Sequence, residues 1–527
     1  MARFIPNVFN FWVVVFVAIG SIACSYGLAI MGAIIGQPSF YVSLNLAPPG
    51  TPGYGTTSAL IGAFNGLGSA GAVFGAIFSA WSADRFSRKH SMQLGSAIMS
   101  IGAGLCAGSI NTTMFLIARF IAGFGLGMLF SIIPMYQSEI STPETRGFMV
   151  SIHGVMIGVG YSLSSWINFG VYFITASGST SSFPWRFPMA FQAAPVVILL
   201  AGSFMLPYSP RWLMRKGRFE EAHIVLKRLH ASNDEASIER VAKEFHQIRR
   251  QVEQDQESQD GIVWYELLRT APNRKRTIIA MILMWGAQLT GTLVLANYGV
   301  LLFISLGLKG YMPLLLLGIW VTVGFLGNII TALFLDRFGR RKFLLVGISG
   351  ILVSLICECA LQARYLGTDN IAGLNAAVFF IYLFIAFFGC CIDATQFVYL
   401  TEIFPNHIRS QGSAFGVVNS ALASLVMLMV APIALEKITW RFFLVLIVPT
   451  ACYLLVIFLY FPETSKKSLE DINEAFGEKV AVHYTHATRA EEEEYRKAAD
   501  HEMDSNINST PKDDSVVHHV ERSSGYV

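Results

Sequence analysis

Charge is scarce in these 527 residues. Only 14% are Asp, Glu, Lys or Arg, while 53% are apolar and 13% aromatic; a soluble domain carries about a quarter charged. A water-soluble chain of this composition would need an implausibly large dry core, so lipid is the expected solvent. The mean hydropathy of +0.51 agrees. Cysteine is sparse too. The seven present (Cys24, Cys106, Cys357, Cys359, Cys390, Cys391 and Cys452) all lie inside apolar runs, which argues against a disulfide framework and for small-residue packing. Cys390 and Cys391 have no His nearby, so no metal site is expected. The polar stretches lack a nucleophile–base pair, a metal-ligand cluster and a phosphate loop. An enzyme, a cofactor and a nucleic-acid partner are therefore not expected.

What the chain has instead is long apolar runs. About 20 apolar residues cross the roughly 30 Å hydrocarbon core as a helix. Such spans fall near 11–35, 58–80, 91–110, 114–135, 149–173, 187–206, 277–303, 313–334, 343–363, 374–398, 412–434 and 441–461. The first is too long for a signal-peptide core. The expected fold is an all-α membrane protein of twelve transmembrane helices in two six-helix bundles. Its divisions are 1–206 and 277–462 for the bundles, 207–276 for linker helices and 463–527 for a polar tail. Within the linker, Phe219–Leu229 and Ile238–Val252 carry charge at helical spacing. Lys and Arg crowd alternate loops, the linker and the start of the tail, whereas Gly36–Thr57 holds neither. This bias places the linker and both termini in the cytoplasm.

The halves repeat one another. Asp84-Arg85-Phe86-Ser87-Arg88-Lys89 follows span two, and Asp336-Arg337-Phe338-Gly339-Arg340-Arg341 follows span eight. Tyr136-x-x-Glu139 with Arg146 after span four returns as Tyr399-x-x-Glu402 with Arg409 after span ten, and Pro207 after span six returns as Pro462-Glu463. A parallel duplication of this kind builds two bundles around a site near the midplane. Repeated charges of mixed sign suggest a cytoplasmic gate. Asp84, Arg85, Arg88, Glu139, Arg146, Asp336, Arg337, Arg340, Glu402, Arg409 and Glu463 are expected to latch the bundles together when the carrier faces outward.

These motifs resemble the sugar porter family of the major facilitator superfamily over residues 11–476. The likeness rests on Ile121-x-Gly123-Phe124-x-x-Gly127 leading to Tyr136-x-x-Glu139-x6-Arg146, and on Trp185-Arg186, Pro210–Leu213, Gln288-x-x-Gly291 and Pro462-Glu463-Thr464. The phrase from Gln396 to Arg409 is similar to fungal members. The resemblance implies alternating access and a sugar-like solute carried by a monomer, with the plasma membrane as the default location.

The sequence departs from the family where sugars are held. Gly27 stands where proton-coupled members have Asp, Gly154 in place of a Gln, Leu293 and Gly324 in place of Asn, Phe397 in place of Trp, and Ser420-Ala421 in place of Asn-Trp. An unpaired buried hydroxyl costs about 1–3 kcal/mol. Either the solute has fewer hydroxyls, or it sits in a shifted pose on His153, Tyr161, Gln288, Asn297, Gln396 and Phe397. Arg119 has lost the Asp that the resemblance implies as its partner. The protein is then a facilitator, or Asp393, on the same helix face as Phe397, has taken over proton coupling. A transporter-like sensor and an exporter of a pathway metabolite are the competing readings.

Overall fold

A backbone inside lipid must satisfy its amides internally, and the computed structural model of the chain is helical, without β-strands among the described residues. Residues 7–142, 146–176, 181–230, 263–368, 370–405 and 408–465 are described, with further positions at 241, 245, 248–249, 472 and 474–477. Twelve helices cross the bilayer. In the first half they are α1 (Val8–Ile34), α2 (Tyr54–Phe86), α3 (Arg88–Ala107), α4 (Thr112–Ile140), α5 (Arg146–Ala176) and α6 (Phe183–Ser203). The second half has α7 (Ala271–Ser305), α8 (Met312–Phe338), α9 (Arg340–Tyr365), α10 (Ile371–Glu402), α11 (Arg409–Ile438) and α12 (Phe442–Tyr460). Nine described stretches are apolar and long enough to span; one of them, Gln411–Tyr460, holds both α11 and α12 around the turn Thr439–Arg441. The helices α3 and α5 complete the dozen. Of the two, α3 is diluted by Ser, Gly and basic residues, which lowers its hydropathy but not its helicity.

The helices overrun the apolar runs. α2 extends from Tyr54 to Phe86 rather than over 58–80, because hydrogen bonding continues into the headgroup layer where hydropathy has already fallen. Several spans are also broken, which periodicity did not disclose. α7 breaks at Thr290–Gly291, where Gly291 adopts φ +93°, a left-handed conformation that only glycine takes without strain. α10 breaks at Ile392, immediately before Asp393.

Glycine sets the closest packing. A Cβ added at Gly123 or Gly127 of α4 would fall on the carbonyl oxygens of Gly68 and Ala72 in α2. Small residues let helix backbones touch and replace the hydrophobic force that lipid cannot supply. Gly62 and Gly66 of α2 instead meet Met429 of α11, in the other half.

The duplication holds at the level of single bonds. The Tyr136 hydroxyl donates to the Pro207 carbonyl at 2.7 Å, and the Tyr399 hydroxyl to the Pro462 carbonyl at 2.9 Å. Arg88 pairs with Glu139 at 2.9 Å and with Asp84 at 3.2 Å; Arg340 pairs with Glu402 at 2.8 Å. Ser87 and Gly339, each just ahead of its Arg, share φ near +100° (101° and 95°). Glu463 accepts from the backbone N–H groups of Arg340 and Arg341, so it caps the first turn of α9.

These ion pairs close within one half rather than between halves. The geometry is local: Arg88 opens α3 where Glu139 ends α4, and the two meet at 2.9 Å. Arg85 and Arg337 are exposed, and Arg337 lies 6.0 Å from the Phe338 ring centre. Arg409 donates to the Phe404 carbonyl of its own half. The side chains of Arg146 and Asp336 lie outside the described residues.

In the linker, helices occupy Pro210–Arg215, Phe219–His230 and Val263–Arg269. Trp212, Leu213, Ala222 and Leu226 form a small core there with Val241 and Ile248. Most of Ile238–Val252 and everything beyond residue 477 fall outside the described residues.

Candidate functional site

The two halves meet at the end of the molecule remote from the chain termini. Gly32 of α1 lies on the backbone of Ala296 and Asn297 in α7. The Asn65 amide of α2 donates to the Tyr298 hydroxyl at 2.9 Å, and that hydroxyl donates to the Leu428 carbonyl of α11 at 2.6 Å. Trp166 of α5 donates to the Thr322 hydroxyl of α8 at 3.0 Å. Toward the terminal end the halves touch at an aromatic layer, where Phe397 stands against Phe130 and His153, and where Gly154 of α5 faces Ala394 of α10.

Between these two closures lies a cavity with about 1120 Å³ of empty space, its mouth included. Its walls differ. The first half contributes Leu28, Ala72, Leu126, Phe130 and Ile157, with Ser69 and Tyr161 as its polar members. The second half contributes Gln288, Thr292, Asn328, Asp393, Gln396, Ser420 and Ser424, interleaved with Trp320, Phe325, Phe388 and Phe397. A ligand there meets most of its hydrogen-bond partners on the second-half wall and a mainly apolar first-half wall relieved by Ser69 and Tyr161, an apolar lining with a few placed polar groups of the kind usual for a small-molecule site.

The helix breaks put the polar groups in place. Gln288 sits in the last turn before the break in α7, and its amide donates to the Ser420 hydroxyl at 3.1 Å. Asp393 opens the second segment of α10 and accepts from the Asn328 amide at 2.7 Å. No Lys, Arg or His lies within ion-pair distance of Asp393 among the described residues. The oxygens of the Asn328 and Gln396 side chains are buried without a partner, two acceptors waiting for donors.

Five of the residues singled out from the sequence border this cavity: Tyr161, Gln288, Asp393, Gln396 and Phe397. Three do not. His153 is buried behind the aromatic layer, 2.7 Å from the Ser21 hydroxyl through Nδ1, with no partner for Nε2. Asn297 lies in the seam with α1, its amide turned back to the Leu293 carbonyl of its own helix; of the segment after the break at Gly291, Thr292, Leu293 and Ala296 line the cavity while Asn297 lies against Gly32. Arg119 is buried among α1, α2 and α4, and donates to the carbonyls of Phe64 and Gly27 in place of the expected carboxylate. Glu358 of α9 is buried and accepts from Gln362 at 2.7 Å within its own helix, in keeping with a structural role. Asn328 was missed. It is one helical turn beyond Gly324, and its signal was a lone amide in an otherwise apolar span.

The Asn65–Tyr298–Leu428 chain ties three helices across the remote closure. Tyr298→Phe leaves the Asn65 donor and the Leu428 acceptor unmatched, at a cost of about 1–3 kcal/mol charged to the closed state alone. Spin labels on the remote ends of α2 and α11 are expected to show a longer, broader distance distribution in this variant. An unchanged distribution would mean that the hydroxyl does not hold the closure.

The sequence matches the family described as "Sugar (and other) transporter" over residues 13–476. The chain belongs to that family. Among its relatives is an MFS-type transporter, criB, of Aspergillus cristatus, 30% identical over 84% of this chain and 89% of that protein. The sugar transporter STL1 of Saccharomyces cerevisiae is 31% identical over 77% and 70%, and a high-affinity glucose transporter of Kluyveromyces lactis 27% identical over 90% and 86%. The fold of this sugar porter is that of the proton:xylose symporter XylE bound to 6-bromo-6-deoxy-D-glucose. The two superpose with a TM-score of 0.74 at 21% identity, over 89% of this chain and all of that one. Family and fold are those of multi-pass membrane transporters, and the protein carries a sugar or related small polar solute by alternating access.

Proposed function

We propose that this porter works as a monomer in the plasma membrane, with both termini cytoplasmic, and that it moves a sugar-like solute with fewer hydroxyls than a hexopyranose, such as a deoxyhexose or a short polyol. The observation that carries this reading is the one-sided polarity of the cavity. A pyranose hydroxylated all round would leave several groups unpaired against Leu28, Ala72, Leu126 and Ile157, at about 1–3 kcal/mol each. A solute with one polar edge meets Gln288, Asn328, Asp393 and Gln396 on that edge and hydrocarbon on its other face. A relative named as a probable polyol transporter agrees with a hydroxylated solute other than a hexopyranose.

Asp393 is the coupling residue of this reading. A carboxylate enclosed by the closing halves needs neutralising, and Arg119 is remote from it, behind α1. A proton, or the hydroxyl donors of the solute, must do this. His153 and Asn297 act one layer back, through Phe397 and the α1–α7 seam. The ion pairs at the basic ends brace each half as it rocks, with Glu139, Glu402 and Glu463 as their anchors.

Uptake into vesicles holding the full chain tests the proposal. Deoxyhexoses and polyols of three or four carbons are expected to compete with a labelled hexose at least as well as glucose does, and disaccharides to fail. Competition by glucose at least about tenfold better than by every deoxy analogue, equivalent to about 1.4 kcal/mol, would refute the one-sided reading.

A further inference from the structure

A groove on the outside of the first half, at its basic end, has no part in the transport path. It is bordered by Arg85, Phe86, His90, Ser91, Leu94 and Trp212. Four observations converge on it. Arg85 is exposed and makes no ion pair or hydrogen bond with a described residue. His90 engages the Phe86 carbonyl and the Ser87 hydroxyl through Nδ1, at 2.9 and 3.1 Å, which leaves Nε2 for another partner. Ser91 is 1% exposed and its hydroxyl has no partner, although a serine in a helix ordinarily bonds a carbonyl one turn back. The groove also lies at the first turn of α3, where the helix dipole favours an anion.

The surrounding charge agrees. Lys89 stands 5.1 Å from the Tyr208 ring centre, and Lys216 5.9 Å from the Trp212 ring centre. The acids nearby are committed: Asp84 holds Arg88 and Arg215, and Glu221 holds Arg218. The Trp212 indole donates to the Asp84 carbonyl at 3.2 Å, which fixes the linker as the far wall. Phe86 and Leu94 are exposed on the side of α2 and α3 that faces lipid, and Trp81 and Ile101 extend that apolar surface along the same helices.

We infer that this groove binds the headgroup of an anionic phospholipid. Its phosphate sits among Arg85, the free nitrogen of His90 and the Ser91 hydroxyl, and its acyl chains run down Phe86 and Leu94. A soluble anion would use the cations and leave the apolar wall bare, whereas a lipid uses both. Each basic residue near a charged membrane surface contributes enough to change affinity about fivefold. Because α2, α3 and the linker meet here, the bound lipid joins the linker to the first half. The inference rests on the fold and not on the identity of the solute.

The test uses the purified full chain in neutral detergent, titrated with fluorescent phosphatidylserine or phosphatidylcholine. Phosphatidylserine is expected to bind more tightly, with a loss of about fivefold in Arg85→Gln and smaller losses in His90→Gln and Ser91→Ala. Arg441→Gln, at the remote end, should bind as the unaltered chain does. Millimolar inorganic phosphate should displace little of the lipid. Equal affinity for the two lipids, full binding by the Arg85→Gln/His90→Gln pair in chain that still elutes as a single species, or complete displacement by phosphate alone would each overturn the assignment.

Discussion

Asp393→Asn is expected to lower uptake by at least about tenfold and to flatten the response of the remaining uptake to a pH gradient. The substitution keeps the shape of the side chain and its contact with Asn328, so the cavity survives. It removes the charge and the site for a proton. A charge-assisted hydrogen bond is worth about 1.5–3 kcal/mol, and 1.4 kcal/mol is a factor of ten. If the carboxylate receives solute hydroxyls, affinity falls by that factor. If it exchanges a proton in each cycle, the pH-driven component disappears as well. Labelled-solute uptake into vesicles, with and without an imposed pH gradient and normalised to protein content, separates the two. Unaltered rate and pH response in the variant would remove Asp393 from the mechanism and leave it as a helix-packing acid held by Asn328.

The fold was legible because lipid leaves so few alternatives. Twelve apolar runs, the Asp84/Asp336 repeat and the Tyr-x-x-Glu pair were enough for two bundles, and the repeat recurs in the structure bond for bond at Tyr136–Pro207 and Tyr399–Pro462. The site was legible only in part. Gln288, Gln396, Asp393, Tyr161 and Phe397 reach the cavity because their offset from motif residues fixes their helix face. Asn297 follows Ala296, which does line the cavity, but its own side chain lies in the seam with α1, and a break at Gly291 leaves the sequence no continuous helix on which to tell those two faces apart. Asn328 was missed for a related reason. The expected Asn position falls at Gly324, and a polar group moved by one turn keeps its face but escapes a positional comparison. Charge is legible to a different depth. Sequence shows that Arg88, Glu139, Arg340 and Glu402 repeat, but not whether a pair closes within a bundle or between bundles. That depends on which helix ends are adjacent, and here α3 begins where α4 stops.

Gly127→Leu should abolish accumulation of folded carrier, with the loss expected to exceed tenfold, because it acts on the step every later property requires. A side chain at this position has nowhere to go: even its Cβ falls on the Ala72 carbonyl, which is backbone and cannot swing aside. Over-packing a core with movable side chains costs about 1–3 kcal/mol; here α2 and α4 must separate along their length. Separation also uncovers the contacts of Gly68 with Gly123 and of Gly71 and Gly75 with Phe120 and Phe124, so one substitution unseats the whole interface. Nothing drives the separated helices back together, since lipid hydrocarbon is no worse a partner for their apolar side chains than the helix it replaces. Gly104→Leu is the control, being exposed on α3 with open space around its Cα. Size-exclusion profiles of fluorescently tagged chains should show the Gly104 variant at the level of the unaltered protein and the Gly127 variant in the void or absent. A normal monodisperse peak for Gly127→Leu would mean that α2 and α4 do not depend on backbone contact, and the glycine motif would then need another explanation than close packing.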